Sequence, residues 1–148
     1  MPAAPVSSTY RLRAFSLADY EPVIALWRSC EGIGLGESDT PEAIAAFLAR
    51  NPGLSLVATT ARDEIVGAVL CGHDGRRGYL HHLAVAPAHR RHGLGRQLVE
   101  ECLARLRQLG IEKCNIFLFA HNAAGRTFWL REGWTAREDL VVVQKKLS

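Results

Sequence analysis

The sequence lacks an apolar run long enough to cross a membrane, and its first nine residues carry no basic side chain. A membrane-spanning helix needs about 20 consecutive apolar residues, and a secretory signal places positive charge ahead of an apolar segment. The sequence therefore predicts neither kind of segment. We expect residues 1–9 to be a short disordered leader and the protein to be cytoplasmic, with no membrane as partner.

Lysine is scarce, because only 3 of the 18 basic residues are lysines. The 15 acidic residues are interspersed among the basic ones, and the formal net charge is only +3. A block of basic residues, as used to bind along a nucleic-acid backbone, is missing. We therefore expect no nucleic acid as partner. Arginine is concentrated instead at positions 90, 91 and 96.

Cysteine is also sparse, and its pattern excludes the usual cysteine functions. The four cysteines, at positions 30, 71, 102 and 114, form no Cys-x-x-Cys pair, and most fall in apolar segments where cysteine behaves as a small hydrophobic residue. The six histidines combine with them into no recognisable zinc pattern. We expect reduced, structural cysteines and no metal.

At 148 residues, 48% of them hydrophobic, the chain can bury one ordinary core, and we expect a single domain over residues 10–148. Hydrophobic periodicity and turn residues predict strands and helices in the α/β class. The predicted elements are a strand at 10–14, helices after caps at Asp19 and Thr40, strands at 54–60, 65–72 and 79–85, a helix from Leu94 to Gly110, a strand at 113–119, a helix at 123–132 and a strand at 140–146.

The segment Arg90-Arg91-His92-Gly93-Leu94-Gly95 lies between the predicted strand that ends at Val85 and the helix that begins near Leu94. The two glycines allow successive backbone N–H groups to point outward, where the helix macrodipole adds partial positive charge. Neighbouring arginines add formal charge. This pattern predicts an anion site suited to phosphate.

Two motifs in this order resemble those of a known family. The spacing Arg-x-x-Gly-x-Gly after Leu83-Ala84-Val85 and Pro87 resembles motif A of the GNAT acetyltransferases, and the segment from Asn122 to Trp134 resembles their motif B. The resemblance extends from about Tyr10 to Leu147. It implies the GNAT fold, a mixed, strongly twisted sheet of about six to seven strands flanked by about four helices. The stretch from Gly72 to Gly78 also resembles a YpeA-type bacterial branch.

The resemblance implies an enzyme that transfers the acetyl group of acetyl-CoA to an amine by direct attack in a ternary complex. In the family, the strand backbone binds the pantetheine, the glycine-bearing loop binds the pyrophosphate, and the motif B asparagine and helix flank the pantetheine arm. The cofactor-binding residues implied here are Leu83, Ala84, Val85, Arg90, Arg91, His92, Gly93, Leu94, Gly95, Arg96, Asn122, Phe128 and Trp129.

The predicted strand at 79–85 also carries the candidate catalytic residues, His81 and Tyr79. Arylalkylamine N-acetyltransferases, which this segment resembles, have histidines at these two positions, and an imidazole can relay a proton near neutral pH. The alternative is that His81 lines the cleft without catalysing. Strict alternation puts Tyr79, His81, Leu83 and Val85 on one face, and Leu80, His82 and Ala84 on the other, so we expect His82 to pack.

Two residues depart from the pattern of many family members. Trp129 replaces a tyrosine that can protonate the departing thiolate, and Phe117 replaces a glutamate found in the ribosomal-protein alanine acetyltransferases. A ribosomal-protein acceptor is therefore not expected. Trp129 is interpreted as a packing or cofactor-wall residue, and Trp27 and Trp134 as core or rim residues.

The loop between the first two helices and the region before the last strand usually bind the acceptor in this family. Here they carry carboxylates that suit a cationic amine or are simply solvated: Glu31, Glu37, Asp39, Glu138 and Asp139. We expect a small-molecule or amino-acid-like primary amine as partner, and a homodimer is compatible with the sequence. The alternative function is a non-catalytic acyl-CoA-binding or sensing module of the same fold.

Overall fold

The structure is a computed structural model that describes residues 9–148. Apart from Thr9, the predicted leader lies outside the described residues. The chain forms two compact units, one ending at Phe117 and the other comprising Leu118–Ser148. The single domain expected over residues 10–148 stays a prediction.

The first unit is a five-stranded mixed sheet with three helices. Its strands follow one another in the order β1-β2-β3-β4-β5, antiparallel up to β4 and parallel between β4 and β5. The elements are β1 (Tyr10–Ala14), α1 (Tyr20–Ser29), α2 (Pro41–Arg50), β2 (Leu56–Thr60), β3 (Ile65–His73), β4 (Gly78–Val85), α3 (Leu94–Gln108) and β5 (Cys114–Ile116). The predicted meander of β2, β3 and β4 is confirmed.

The helices begin where their capping residues predict. Thr40 accepts a hydrogen bond from the Ala43 N–H at 3.1 Å, and Pro41 occupies the first turn, where its missing N–H costs little. Asp19 precedes α1 in sequence, but its carboxylate accepts the Ser16 N–H at 3.0 Å instead of an N–H of the helix. Asp19 therefore stabilises the turn before α1 and does not cap the helix with its side chain, as the sequence had predicted it would.

The helices cover both faces of the sheet. Ala68 and Leu70 of β3 belong to the core cluster with the apolar residues of α1 and α2. Gly67 lies on the opposite face, because neighbouring strand residues alternate, and a Cβ there would meet Leu98 of α3 at 3.2 Å. A Cβ on Gly78 would meet Leu106 at 2.6 Å. These two glycines let α3 lie close against β3 and β4.

The structure corrects the expected number of strands. Five strands, not six to seven, are present among residues 9–148, and β5 is shorter than the predicted 113–119. The predicted strand at 140–146 is wrong: this stretch is in neither helix nor strand, and its Leu140 and Val141 are exposed. A β-prone run becomes a strand only when a neighbouring strand supplies hydrogen bonds, which local sequence does not reveal.

The second unit contains one helix, α4 (Ala123–Arg131). The Asn122 side chain accepts the Gly125 N–H at 2.9 Å and so caps the helix. The chain leaves the helix through Gly133, whose φ of 95° lies in the left-handed region that favours glycine. Both ends of the predicted helix are thus confirmed to within a residue.

All four cysteines are free thiols, and three of them are buried. A hydrogen bond with Cys71 is the main cause that raises the pKa of Cys102, and burial is the second. Burial also raises the pKa of Cys114 to about 12. These two thiols are therefore neutral near pH 7. Within residues 9–148, no helix is long and apolar enough to span a membrane, and no group of three potential metal ligands is found.

The Arg13–Asp19 ion pair predicts a pH-dependent stability. Arg13 donates to both Asp19 oxygens at 2.8 and 2.9 Å, which lowers the pKa of Asp19 below 3.8 although burial raises it. The stabilisation is therefore present above pH 3.8 and is lost as the pH falls through the lowered pKa. We expect Asp19→Asn to reduce the free energy of unfolding at pH 7 by about 1 kcal/mol.

Urea unfolding at pH 7 and near pH 3 measures this effect. The difference between wild type and Asp19→Asn should shrink at the lower pH, whereas Glu112→Gln, at an exposed carboxylate, should change stability little at either pH. An equal loss for Asp19→Asn at both pH values would contradict the assignment.

Candidate active site

Strand β4 contains a bulge near its middle. His81 pairs with Leu70 and Ala84 pairs with Ala68, so one residue of β3 lies opposite both His82 and Leu83. His82 has a φ of 56°, in the left-handed region that residues other than glycine rarely adopt. Local backbone strain of this kind is concentrated at functional sites. The bulge therefore marks this strand as a candidate site.

The bulge also changes which face the following side chains occupy. Upstream of it, the His81 ring lies 6.1 Å from the ring of Phe47 in α2. Downstream, the His82 ring lies 4.9 Å from that of Trp27 in α1, and Ala84 joins the core cluster shared with these helices. Strict alternation is therefore wrong beyond His81. Both imidazoles face the layer of α1 and α2.

His82 has a charged partner that lies far away in sequence. Its Nε2 is 3.0 Å from Oδ1 of Asp39, which ends a short 3-10 helix, Glu37–Asp39, in the connection between α1 and α2. Asp39 is only 8% exposed. The side chain packs against Trp27 as expected, although on the face opposite to the predicted one, and it also hydrogen-bonds with Asp39.

His81 belongs instead to an aromatic cluster with Tyr79 and Phe117. The Tyr79 ring is parallel to that of His81 within 4°, at a centroid distance of 6.3 Å, and Phe117 lies 6.0 Å from Tyr79 and 6.2 Å from His81. Burial lowers the pKa of His81 below 6.5, the neighbouring His82 lowers it further, and Asp39 opposes the shift. His81 is therefore mainly neutral at pH 7.

Strand β4 separates from β5 after Leu80, next to this aromatic cluster. Their parallel pairing joins Gly78 to Cys114, Tyr79 to Asn115 and Leu80 to Ile116, and it ends there. From His81 to Val85, the edge of β4 that faces away from β3 is thus not paired with β5. Such an edge offers backbone N–H and C=O groups to a ligand.

The loop after β4 leads into the N-terminus of α3. Gly93 is the N-cap with a φ of 78°, and Arg91 is also left-handed, with a φ of 69°. The Gln97 N–H donates the first helical hydrogen bond, to the Gly93 carbonyl. The backbone N–H groups of residues 93–96 consequently have no acceptor within the helix, and together with the helix dipole they make this end of α3 suited to an anion.

The arginines of this loop differ in their roles. The Arg90 guanidinium donates to the Val85 carbonyl at 2.9 Å and to the Cys30 sulfur at 3.6 Å, so it braces the end of β4. Arg91, His92 and Arg96 have exposed side chains. Tyr10 lies beside the loop, with its hydroxyl 2.9 Å from Nδ1 of His89.

A shallow groove of about 510 Å³ lies next to this loop, between β1 and α3. Its lining is formed by Tyr10, Leu12, Arg96, Gln97, Glu100 and Glu101. The negative charges of Glu100 and Glu101 would repel a phosphate from most of this groove. We therefore assign the candidate site to β4 and the loop that follows it.

Comparison with known proteins agrees with this arrangement. The sequence pattern of the Acetyltransferase (GNAT) family matches residues 20–134, which include β4, the loop and both motifs. The chain belongs to the GNAT acetyltransferase family. Its five-stranded mixed sheet with flanking helices is accordingly a GNAT-like α/β fold.

Relatives of similar length carry the same description. The chain is 31% identical over 137 residues to acetyltransferase SG1711 of Sodalis glossinidius, covering 92% of this chain and 94% of that protein. It is 36% identical over 114 residues to acetyltransferase YE1169 of Yersinia enterocolitica, covering 76% and 79%.

Solved structures share the fold at lower sequence identity. PaiA N-acetyltransferase of Thermoplasma acidophilum, in complex with coenzyme A, matches with a TM-score of 0.76 at 20% identity, over 87% of this chain and 91% of that one. Ard1 of Thermoplasma volcanium matches with a TM-score of 0.75 at 20% identity, over 86% and 83%. Family membership and the relatives described as acetyltransferases, not these structures, make this GNAT protein an acetyl-CoA-dependent N-acetyltransferase.

The motif B residues form their own contacts in the second unit. Trp129 is buried, with its ring centroid 4.8 Å from Trp134 and 5.2 Å from Phe128 in edge-to-face geometry. Its indole N–H does not ionise near neutral pH, so Trp129 cannot serve as a general acid. The contacts with Phe128 and Trp134 agree with the predicted packing role of Trp129. Its other predicted role, as a wall of the cofactor site, stays a prediction. Asn122 caps α4 with its side chain.

The structure thus brings together most of the residues that sequence reasoning selected in the first unit. Tyr79 and His81 stack on each other, Leu83 to Val85 lie on the open edge of β4, and residues 90–96 follow at the helix start. Sequence reasoning missed the His82–Asp39 pair. The only available signal was an acidic residue in the acceptor loop, and nothing in the sequence linked it to a particular histidine.

Proposed function

We propose that this acetyltransferase transfers the acetyl group of acetyl-CoA to the primary amine of a small-molecule or amino-acid-like acceptor, by direct attack in a ternary complex. The observation that carries the proposal is the juxtaposition, along one strand and the loop after it, of two imidazoles, an open backbone edge and a helix N-terminus whose first N–H groups have no acceptor within the helix. In this proposal an imidazole accepts the proton, the open edge of β4 binds the thioester, and the N-terminus of α3 binds the phosphate. The three features follow one another in this order along the chain.

The phosphate site is proposed at the start of α3. Backbone N–H groups of Gly93 to Arg96 would hold the pyrophosphate, and the exposed side chains of Arg91, His92 and Arg96 would add positive charge. Arg90 would contribute by fixing the strand end, given its bond to Val85. Asn122, Phe128 and Trp129 stay predicted neighbours of the pantetheine arm.

Acetyl-CoA supplies an activated acyl group with a thiolate leaving group. The open edge of β4 at Leu83, Ala84 and Val85 would bind the pantetheine amides and polarise the thioester carbonyl as negative charge develops on its oxygen. The amine nitrogen forms the new bond to the carbonyl carbon while the C–S bond breaks. His81 is the sequence-based candidate for removing the amine proton, and Tyr79 for returning a proton to the thiolate.

The acceptor is proposed to be cationic before it reacts. Glu31, Glu37 and Asp39 come from the connection between α1 and α2, and carboxylates there would attract an ammonium group from solvent. We further propose that the reaction takes place in the cytoplasm, in keeping with the free cysteines. Membership of the YpeA-type branch and a homodimeric state stay predictions.

A screen of amines with detection of the released thiol tests the proposal. We expect thiol release with some primary amines of a broad panel. We expect none with the N,N-dimethyl counterparts, which are also cationic but have no second N–H to lose. If acetyl-CoA binds and no amine releases thiol, the alternative of a non-catalytic acyl-CoA-binding or sensing module replaces the proposed function.

A further inference from the structure

His82 and Asp39 form a largely buried imidazole–carboxylate pair. The proposed chemistry gives His82 no role and uses Asp39 only as one of the carboxylates that attract the acceptor. Both Asp39 oxygens are engaged: Oδ1 lies 3.0 Å from Nε2 of His82, and Oδ2 accepts the Gly36 N–H at 3.0 Å. The Tyr20 hydroxyl donates to the Asp39 backbone carbonyl at 2.6 Å. The carboxylate is therefore held rigidly against the bulge of β4.

This geometry fixes which nitrogen of His82 is basic. An ionised carboxylate only accepts hydrogen bonds, so Nε2 must carry the proton that it shares with Asp39. In the neutral ring, Nδ1 then holds the lone pair. The His82 side chain is 20% exposed. Among the described residues, its Nδ1 has no hydrogen-bond partner. This atom is not among the side-chain atoms that are both fully buried and unpaired. Nδ1 is therefore not fully sealed from solvent.

The surroundings of His82 suit a proton acceptor better than those of His81. A carboxylate that holds one imidazole nitrogen orients the ring and stabilises the imidazolium that forms during catalysis. No carboxylate contacts His81, whose ring lies among Tyr79, Phe117 and Phe47. Burial among these rings lowers the pKa of His81. The titratable or charged groups facing His82 are Asp39 and His81, with Tyr20 behind Asp39.

We propose that Nδ1 of His82 accepts the proton of the attacking amine, directly or through one water, and that Asp39 is the residue that positions it. The inference rests on the proposed function. The ammonium first releases one proton to solvent, which frees the nitrogen lone pair. As the amine nitrogen then bonds to the thioester carbon, its next N–H proton passes to Nδ1, the C–S bond breaks, and the thiolate takes a proton from water, directly or through Tyr79. His81 then lines the path of the amine.

Matched substitutions at neighbouring positions test the assignment. His82→Asn suits the left-handed backbone, which asparagine tolerates, and His81→Asn is the same change one residue away. With an amine that the wild type acetylates, we expect His82→Asn to lower kcat about 10²-fold and to abolish the acidic limb of the pH profile. The KM for acetyl-CoA should stay unchanged. His81→Asn should retain that limb.

Asp39→Asn separates positioning from packing, because the amide keeps the shape of the carboxylate without its charge. We expect kcat to fall about 10-fold or more, and the double variant with His82→Asn to be no slower than His82→Asn alone, since the two residues act as a unit. Asp63→Asn, far from the site in an exposed turn, should leave kcat unchanged. Circular dichroism and thermal melting establish that each variant folds.

Several outcomes would overturn the inference. Turnover of His82→Asn within about threefold of wild type, with the acidic limb retained, excludes His82 as the base. Loss of that limb in His81→Asn assigns the role to His81. If His82→Asn fails to fold, wild-type turnover in Asp39→Asn overturns the proposal. If the wild type binds acetyl-CoA but releases no thiol with any primary amine, the proposed function itself fails, and this inference fails with it.

Discussion

Gly95→Trp is expected to weaken acetyl-CoA binding about 100-fold while leaving the fold intact. Gly95 lies in the first turn of α3, two residues after the left-handed cap at Gly93. A bulky side chain there would prevent a pyrophosphate from approaching the backbone N–H groups. Losing two charge-assisted hydrogen bonds costs about 3 kcal/mol or more, which corresponds to about 100-fold in affinity.

Calorimetry with acetyl-CoA measures this effect, and Gln108→Trp is the matched control. Gln108 is exposed at the last residue of the same helix, about 20 Å from Gly95 along the axis. The control should bind acetyl-CoA as the wild type does. Unchanged affinity in Gly95→Trp, together with an unaltered circular dichroism spectrum, would rule out the start of α3 as the pyrophosphate site.

Trp27→Ala is expected to cause the largest loss of stability. Trp27 is 0% exposed, and its ring packs against Phe15 at 6.2 Å and His82 at 4.9 Å. Truncating a buried tryptophan to alanine costs about 3 to 5 kcal/mol, a large share of the 5 to 15 kcal/mol that typically stabilises a native protein. The melting temperature should fall by about 10 °C.

Denaturant unfolding of Trp27→Ala should be compared with two further variants. Leu109→Ala removes a side chain that is 55% exposed and should cost less than about 0.5 kcal/mol. Trp27→Phe should cost less than Trp27→Ala, because it retains a ring and removes the indole N–H, which is buried without an acceptor among the described residues. A loss below about 1 kcal/mol for Trp27→Ala would contradict the packing of α1 on the sheet.

The parts of the fold that could be predicted from the sequence are those with local causes. The Thr40-Pro41 cap, the glycines that end α3 and α4, and the short strands β1 to β3 with the turn between β2 and β3 depend on residues close together in the chain. Each was found within about two residues of its predicted position. The glycine loop before α3 belongs to the same class, because its conformation follows from Gly93 and the helix that begins beside it.

The sequence alone determined the family, the order of the first nine elements and the position of the glycine-bearing loop before α3, since motif spacing and short-range periodicity are properties of contiguous residues. Tertiary structure decided the rest of the site. The bulge of β4 arises from its pairing with β3, and it reverses the face of His82, which strict alternation had placed wrongly.

The distinction between local and long-range causes also explains two further differences between prediction and structure, the His82–Asp39 pair and the missing strand at 140–146. Asp39 and His82 are 43 residues apart, and only the packing of the α1–α2 connection against β4 makes them partners. Residues 140–146 have strand-like composition, but a strand exists only where another strand supplies its hydrogen bonds, and none pairs with them among the described residues. Contacts between distant segments decide such features, and hydrophobic periodicity does not encode them.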